Sequence, residues 1–179
     1  MPFTPILATL GYLFSQDRRQ VLLVHRIARR DDPHFGKYNG LGGKLERNED
    51  IVSGFCREVR EEAGVDCQEL QLAGMISWPG FGKQGEDWFG FLFRVTAWSG
   101  TIAKQSPEGP LLWIDCDEAL NLPLWEGDRF FLPRLFDFQS PLFHAVMPYQ
   151  DGRPVGWRVL ELGVSGKISA AGNGSTEII

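Results

Sequence analysis

Gly43-Lys44-Leu45-Glu46-Arg47-Asn48-Glu49 leads, through residues 50–56, into Arg57-Glu58-Val59-Arg60-Glu61-Glu62-Ala63-Gly64-Val65. The spacing is G-x5-E-x7-R-E-U-x-E-E-x-G-U, where U is aliphatic. It predicts one short helix directly behind a glycine-rich turn. Asn48, Glu49 and Asp50 supply capping oxygens and negative charge where a helix start favours them. Gly64 stands where a helix commonly stops. At about 100° per residue, Phe55, Val59, Val52, Ala63 and Cys56 share one arc of the cylinder, and Glu58, Glu61 and Glu62 share the adjoining arc. One flank is therefore core and the next is a row of carboxylates. Gly54 falls on the carboxylate flank, one turn before Glu58, where a side chain is expected to crowd whatever the carboxylates hold.

Like charges at i,i+3 and i,i+4 repel by about 0.2–0.5 kcal/mol each. A purely structural helix has little reason to gather Glu58, Glu61 and Glu62. A hard cation such as Mg2+ or Mn2+ removes the repulsion and takes oxygen ligands. A solvated acidic face is the plainer reading, but it leaves Gly43, Glu49, Arg57 and Gly64 unexplained. With each specified residue near 7% of average composition, seven such matches arise by chance below about 10⁻⁸ per starting position.

The rest of the chain is consistent with one enzyme-sized domain. Its 179 residues are enough for a single core, here taken as residues 1–164. Residues 165–176 are rich in Gly, Ser and Ala, so 165–179 is expected to be a disordered tail. A net charge of −5 argues against a nucleic-acid polymer or a membrane surface as partner. No stretch reaches transmembrane length, and the N-terminus lacks the pattern of a signal peptide. Cys56, Cys67 and Cys116 lack metal-finger spacing and read as free thiols, which points to a cytoplasmic location.

Residues 6–14, 21–24, 70–78, 88–98 and 111–114 read as strands. Residues 27–37 form a charged loop, and 79–85 a glycine-rich one. Residues 115–120 suit a helical turn. Residues 128–138 suit a second helix, with Phe131, Leu135 and Phe138 on one face, provided that Pro133 lies in its first turn. Residues 141–149 and 154–162 are expected to pair as a hairpin around Asp151-Gly152.

Cleavage of a phosphate chain by water needs charge neutralisation, a positioned nucleophile and a base. Glu58, Glu61 and Glu62 supply metal ligands and a base from one helix face. Gly42 or Gly43 lets a backbone carbonyl approach the same metal, since no side chain intervenes. Lys44 and Arg26 are candidate phosphate contacts. Arg57, four residues before Glu61, is placed to orient a carboxylate. Glu49 either braces the turn against the helix or simply caps it.

Residues 43–65 match the Nudix box at every specified position, and the chain is identified as resembling the Nudix hydrolases. The resemblance implies an α/β fold, an α/β/α sandwich with a mixed central sheet. It also implies Mg2+-dependent hydrolysis of a nucleoside diphosphate linked to another group. Val21-Leu22-Leu23-Val24-His25-Arg26, Gly36-Lys37-Tyr38-Asn39-Gly40-Leu41-Gly42-Gly43-Lys44 and Leu124-Trp125-Glu126-Gly127-Asp128-Arg129-Phe130-Phe131-Leu132-Pro133 resemble the MutT-type branch, which includes the oxidised purine nucleoside triphosphate hydrolases.

Carried over by position, Gly42, Glu58, Glu61, Glu62 and Glu108 would hold metal, with Mn2+ as the alternative to Mg2+. Glu58, Glu61, Glu62 and Arg57 would form the catalytic set. Arg26, Asn39, Leu41, Gly43, Lys44, Trp78, Trp125 and Asp128 would bind a nucleotide. Among these, Asn39 would face the base, Trp125 would stack on it and Asp128 would hydrogen-bond its edge.

One departure stands out. Animal members place two adjacent acids where this chain has Gly127-Asp128. Glu126 is the acid left to substitute, and a broader base selectivity is the other expectation. The expected reaction is hydrolysis of oxidised purine nucleoside triphosphates such as 8-oxo-dGTP to monophosphate and pyrophosphate. The rival substrates are ADP-ribose, for which Pro79 is an imperfect match in position, and dinucleoside polyphosphates, whose expected tyrosine is absent from that region.

Overall fold

The computed structural model describes residues 2–32, 34–162 and 168–169. In chain order it contains β1 (Ile6–Leu13), β2 (Gln20–His25), β3 (Tyr38–Asn39), α1 (Ile51–Ala63), β4 (Asp66–Trp78) and β5 (Trp88–Ser99). There follow β6 (Gln105–Ser106), β7 (Gly109–Asp115), α2 (Cys116–Ala119), α3 (Asp128–Phe136), β8 (Phe143–Val146), β9 (Tyr149–Gln150), β10 (Arg153–Pro154), β11 (Arg158–Leu162) and β12 (Ile168–Ser169). The strands form sheets in the orders β1-β5-β4-β8-β11-β12, β3-β2-β7-β6 and β10-β9. The largest is mixed, because β4 runs parallel to β8 while β8 and β11 are antiparallel. The expected α/β class with a mixed central sheet is therefore the observed one. Among the described residues, no helix is long and apolar enough to cross a membrane.

The described residues pack as two units. One takes those up to Ala8, Leu72–Leu92 and those from Glu126 onward, and the other takes Thr9–Gln71 and Phe93–Trp125. The second carries the glycine turn and α1. Its strand β2 has neighbours on both edges, β3 and β7. Val21, Leu22, Leu23 and Val24 are all buried, which is why they read as a continuous apolar run and not as an alternation. Phe55 of α1 stacks on Phe93 at 4.8 Å between ring centroids. A side chain at Gly11 would collide with the Phe55 ring, so that glycine lets the helix seat closely.

The first unit is built on the latter half of β4. Gly74 to Ser77 pair with Phe143 to Val146, and a Cβ at Gly74 would stand 2.5 Å from Phe143 Cζ. Ile76, Trp78, Phe131, Leu132, Leu135, Phe143 and Met147 are buried there.

Several expectations need correction. Strand β4 begins at Asp66, four residues before the apolar pattern, because its first residues pair as a strand while staying largely exposed. Val52 is 43% exposed and not part of the core flank, which begins at Phe55. Pro133 lies in the interior of α3 and not in its first turn. The helix persists because Phe131, Leu132 and Leu135 are buried around the proline, and it ends at Phe136, so few bonds depend on the missing N–H. The hairpin turns at Asp151-Gly152 as expected, but it is interrupted. Gln150 pairs with Arg153 in β9–β10, and Val146 pairs with Arg158 in β8–β11. The expected tail lies outside the described residues except for Ile168–Ser169, which pair with Leu162 and Glu161.

Candidate active site

Helix α1 is fixed at both ends. The Asp50 carboxylate accepts the Val52 and Ser53 N–H groups at 2.9 Å each. Gly64 closes the helix at φ 73°, donating its N–H to the Arg60 carbonyl. Few side chains tolerate that left-handed conformation. Phe55, Val59 and Ala63 face the core, and this fixes the direction of the carboxylate flank.

Arg57 is the hub of that flank. Its Nε donates to Glu49 Oε1 at 2.6 Å, and its Nη1 reaches Glu58 at 2.9 Å and Glu61 at 3.3 Å. Its Nη2 adds the Lys44 carbonyl at 3.3 Å. Glu49 also accepts the Glu46 N–H at 2.9 Å, so it ties the turn to the helix. Gly54 differs from expectation. The place of its missing side chain is taken by Leu45 and Glu49, so this glycine serves the seating of the turn and leaves no room for a ligand.

The glycine turn meets the same flank. Gly42, at φ 141°, donates its N–H to Glu62 Oε2 at 2.9 Å. Of the two carbonyls left open by the sequence, that of Gly43 accepts the Thr9 N–H at 2.8 Å. The Gly42 carbonyl is thus the better candidate ligand. A Cβ on Gly43 would stand 2.5 Å from Glu58 Oε1. Burial pushes the Glu62 carboxyl up to about 8, reinforced by the negative charges of Glu108 and Glu58, while the Gly42 N–H and Arg26 oppose the shift. Arg26 pairs with Glu108 and, at 2.8 Å, with Asp32.

Among the described residues, no three His, Cys, Asp or Glu side chains close into a metal shell. Glu58 and Glu61 turn to Arg57, and Glu108 turns to Arg26. The donor chemistry nevertheless fits a hard divalent cation. A half-buried carboxylate faces the negative charges of two others, eased by one N–H and by Arg26, and such a gathering of carboxylate oxygens suits a hard cation.

The remaining sequence candidates divide between the units. In the unit with α1, Asn39 pairs with Val24 in the sheet. Leu41 has a fully buried side chain and exchanges both backbone hydrogen bonds with Gly11. Lys44 is exposed. Trp125 meets His34 edge-on at 4.9 Å and lies 5.8 Å from Lys37 Nζ. Neither His34 nor Lys37 was selected by sequence, since both sit in a charged loop with no periodic signal. In the other unit, Trp78 lies 5.7 Å from Phe81 and 6.4 Å from Phe131. Asp128 is buried at the first position of α3. Tyr149, also not selected, stacks edge-on with Phe81 at 5.0 Å.

These features define a Nudix hydrolase. The NUDIX domain family matches residues 4–135, and the chain belongs to that family. It is a hydrolase of nucleoside diphosphate-linked substrates, and Nudix hydrolases generally use a divalent metal. Within the family it is of the MutT type.

It is 31% identical over 121 residues to the uncharacterized Nudix hydrolase YvcI of Bacillus subtilis (strain 168), covering 65% of this chain and 75% of that one. It is 30% identical over 116 residues to the oxidized purine nucleoside triphosphate hydrolase of Mus musculus, covering 65% and 72%. The crystal structure of a mutator MutT protein from Bacillus halodurans superposes with a TM-score of 0.73 at 29% identity, covering 86% of this chain and 97% of that one.

Proposed function

We propose that this protein is a Mg2+-dependent pyrophosphohydrolase of oxidised purine nucleoside triphosphates, 8-oxo-dGTP foremost, acting to cleanse the nucleotide pool. The observation that carries the reading is the Glu62 carboxylate, half-buried, tied to the Gly42 N–H and crowded by the charges of Glu58 and Glu108. The name of the mouse relative supports the substrate. The free Cys56, Cys67 and Cys116 support a reducing, cytoplasmic setting.

Glu58, Glu61, Glu62, Glu108 and the Gly42 carbonyl would hold the cation. When bound, it supplies charge neutralisation on the phosphate oxygens and acidifies water. Arg57 orients Glu58 and Glu61 from the same helix, and the Gly42 N–H fixes Glu62. Arg26 and Lys44 are the phosphate-contact candidates. Water adds its oxygen to phosphorus, one bridging P–O bond breaks, and nucleoside monophosphate and pyrophosphate leave. The proton given up by water goes to a carboxylate of the row. Asn39, Trp78, Trp125 and Asp128 are the candidates for reading the base.

The test is a panel of 8-oxo-dGTP, dGTP and ADP-ribose, assayed with Mg2+ and with chelator. The expected result is Mg2+-dependent release of pyrophosphate with the highest kcat/KM for 8-oxo-dGTP. A ratio near one between 8-oxo-dGTP and dGTP removes the sanitising role. Turnover of ADP-ribose alone reassigns the substrate to a nucleoside diphosphate derivative.

A further inference from the structure

Gly127 stands where the sequence resemblance expects an acid, and the structure shows what takes the space. A Cβ at Gly127 would run into the Tyr149 hydroxyl and would stand 2.8 Å from Met147 Sδ. Gly127 itself has φ −64°, so its backbone is open to any residue. The Tyr149 side chain, and not the conformation of the chain, keeps position 127 bare. Tyr149 is held there by its own N–H, donated to the Pro79 carbonyl at 2.8 Å, and by Phe81 against its ring. Asp128, the next residue, is 9% exposed.

We propose that Tyr149 is a specificity-determining residue. Its phenolic hydroxyl, beside Asp128, reads the N1–O6 edge of a 6-oxopurine nucleotide in place of the missing acid. The inference rests on the reading of Asp128 as a base-edge contact. Burial first, then the negative charges of Asp128 and Glu126, raise the Tyr149 phenol above its ordinary range. The group therefore keeps its proton throughout the working pH range and offers a donor.

The pair presents one acceptor, the Asp128 carboxylate, and one donor, the Tyr149 O–H. A 6-oxopurine presents the complement, an N1–H donor beside the O6 acceptor. A 6-aminopurine presents the reverse, with an N1 lone pair facing the carboxylate. Sites built on such hydrogen bonds reject mismatched analogues far better than apolar pockets do.

The experiment compares kcat/KM for dGTP and dATP in the wild type, Tyr149→Phe and Gly127→Ala. The wild type is expected to favour dGTP. Tyr149→Phe should lower the dGTP-to-dATP ratio roughly tenfold, as loss of one such hydrogen bond implies. Gly127→Ala should lower it too, because the new methyl displaces the hydroxyl while leaving the tyrosine in the chain. Two variants with the wild-type ratio overturn the role of Tyr149, and so does a wild-type ratio near one. Both of those results leave the nucleotide-hydrolase reading standing. A wild type that turns over none of dGTP, dATP and 8-oxo-dGTP overturns the proposed substrate class and this inference with it.

Discussion

The Gly42 N–H donates to Glu62 Oε2 at 2.9 Å, joining the glycine turn to the carboxylate row of α1. Burial and the neighbouring Glu58 and Glu108 push that carboxyl up to about 8, so it is the group with most to gain from a cation. Glu62→Gln keeps the shape and removes the charge. It should cut pyrophosphate release by at least about 100-fold while thermal unfolding of the metal-free protein stays at the wild-type temperature. Glu61→Gln should show the same loss. Full activity in either variant removes that residue from the metal set.

Gly43 is bare because Glu58 needs the room. Gly43→Ala would place a methyl 2.5 Å from Glu58 Oε1 and 2.7 Å from its carboxyl carbon. The side-chain end moves more cheaply than backbone, so Tm should change little. Displacement of a catalytic group by about 1 Å costs on the order of 100-fold, and kcat/KM should fall within about 10- to 100-fold. Wild-type kinetics would show that the position of Glu58 is immaterial.

Arg57 binds Glu49, Glu58, Glu61 and the Lys44 carbonyl at once. Arg57→Ala frees two carboxylates of the row and the brace between turn and helix, so activity and Tm should fall together. Arg57→Lys keeps the charge but loses the planar fork, and should recover Tm more fully than kcat. Equal recovery of both would make the role of Arg57 one of charge alone.

Asp50 gives a pH signature. The Ser53 hydroxyl first, then the Ser53 and Val52 N–H groups, hold its carboxyl below its ordinary value of 3.8. A depressed carboxylate contributes stability that is present above 3.8 and lost as pH falls through its folded value. Asp50→Ala should therefore melt below the wild type at pH 7, and the gap should shrink in the acid range below that value. Asp50→Asn, which keeps a capping oxygen, should melt closer to the wild type at pH 7. A gap unchanged into acid would sink the charged-cap account.

The helix, its caps and its carboxylate flank were legible in residues 43–65, because each depends on local spacing: 3.6 residues per turn, a capping oxygen, a stop glycine. The same periodicity misplaced Val52 and Gly54. It reports which direction a side chain takes, not what stands there. Leu45 and Glu49, brought over by the turn, fill the place beside Gly54, and no window of sequence contains that fact. His34 and Lys37 beside Trp125 escaped for the same reason.

The sequence by itself determined the class of protein, since the box sets a row of carboxylates in a definite order along one helix. Only the tertiary structure decided that the Gly43 carbonyl accepts the Thr9 N–H of β1 at 2.8 Å. Only the tertiary structure, too, set Tyr149 against Gly127. They stand twenty-two positions apart in the chain, and their meeting is made by tertiary packing, which local propensity does not encode.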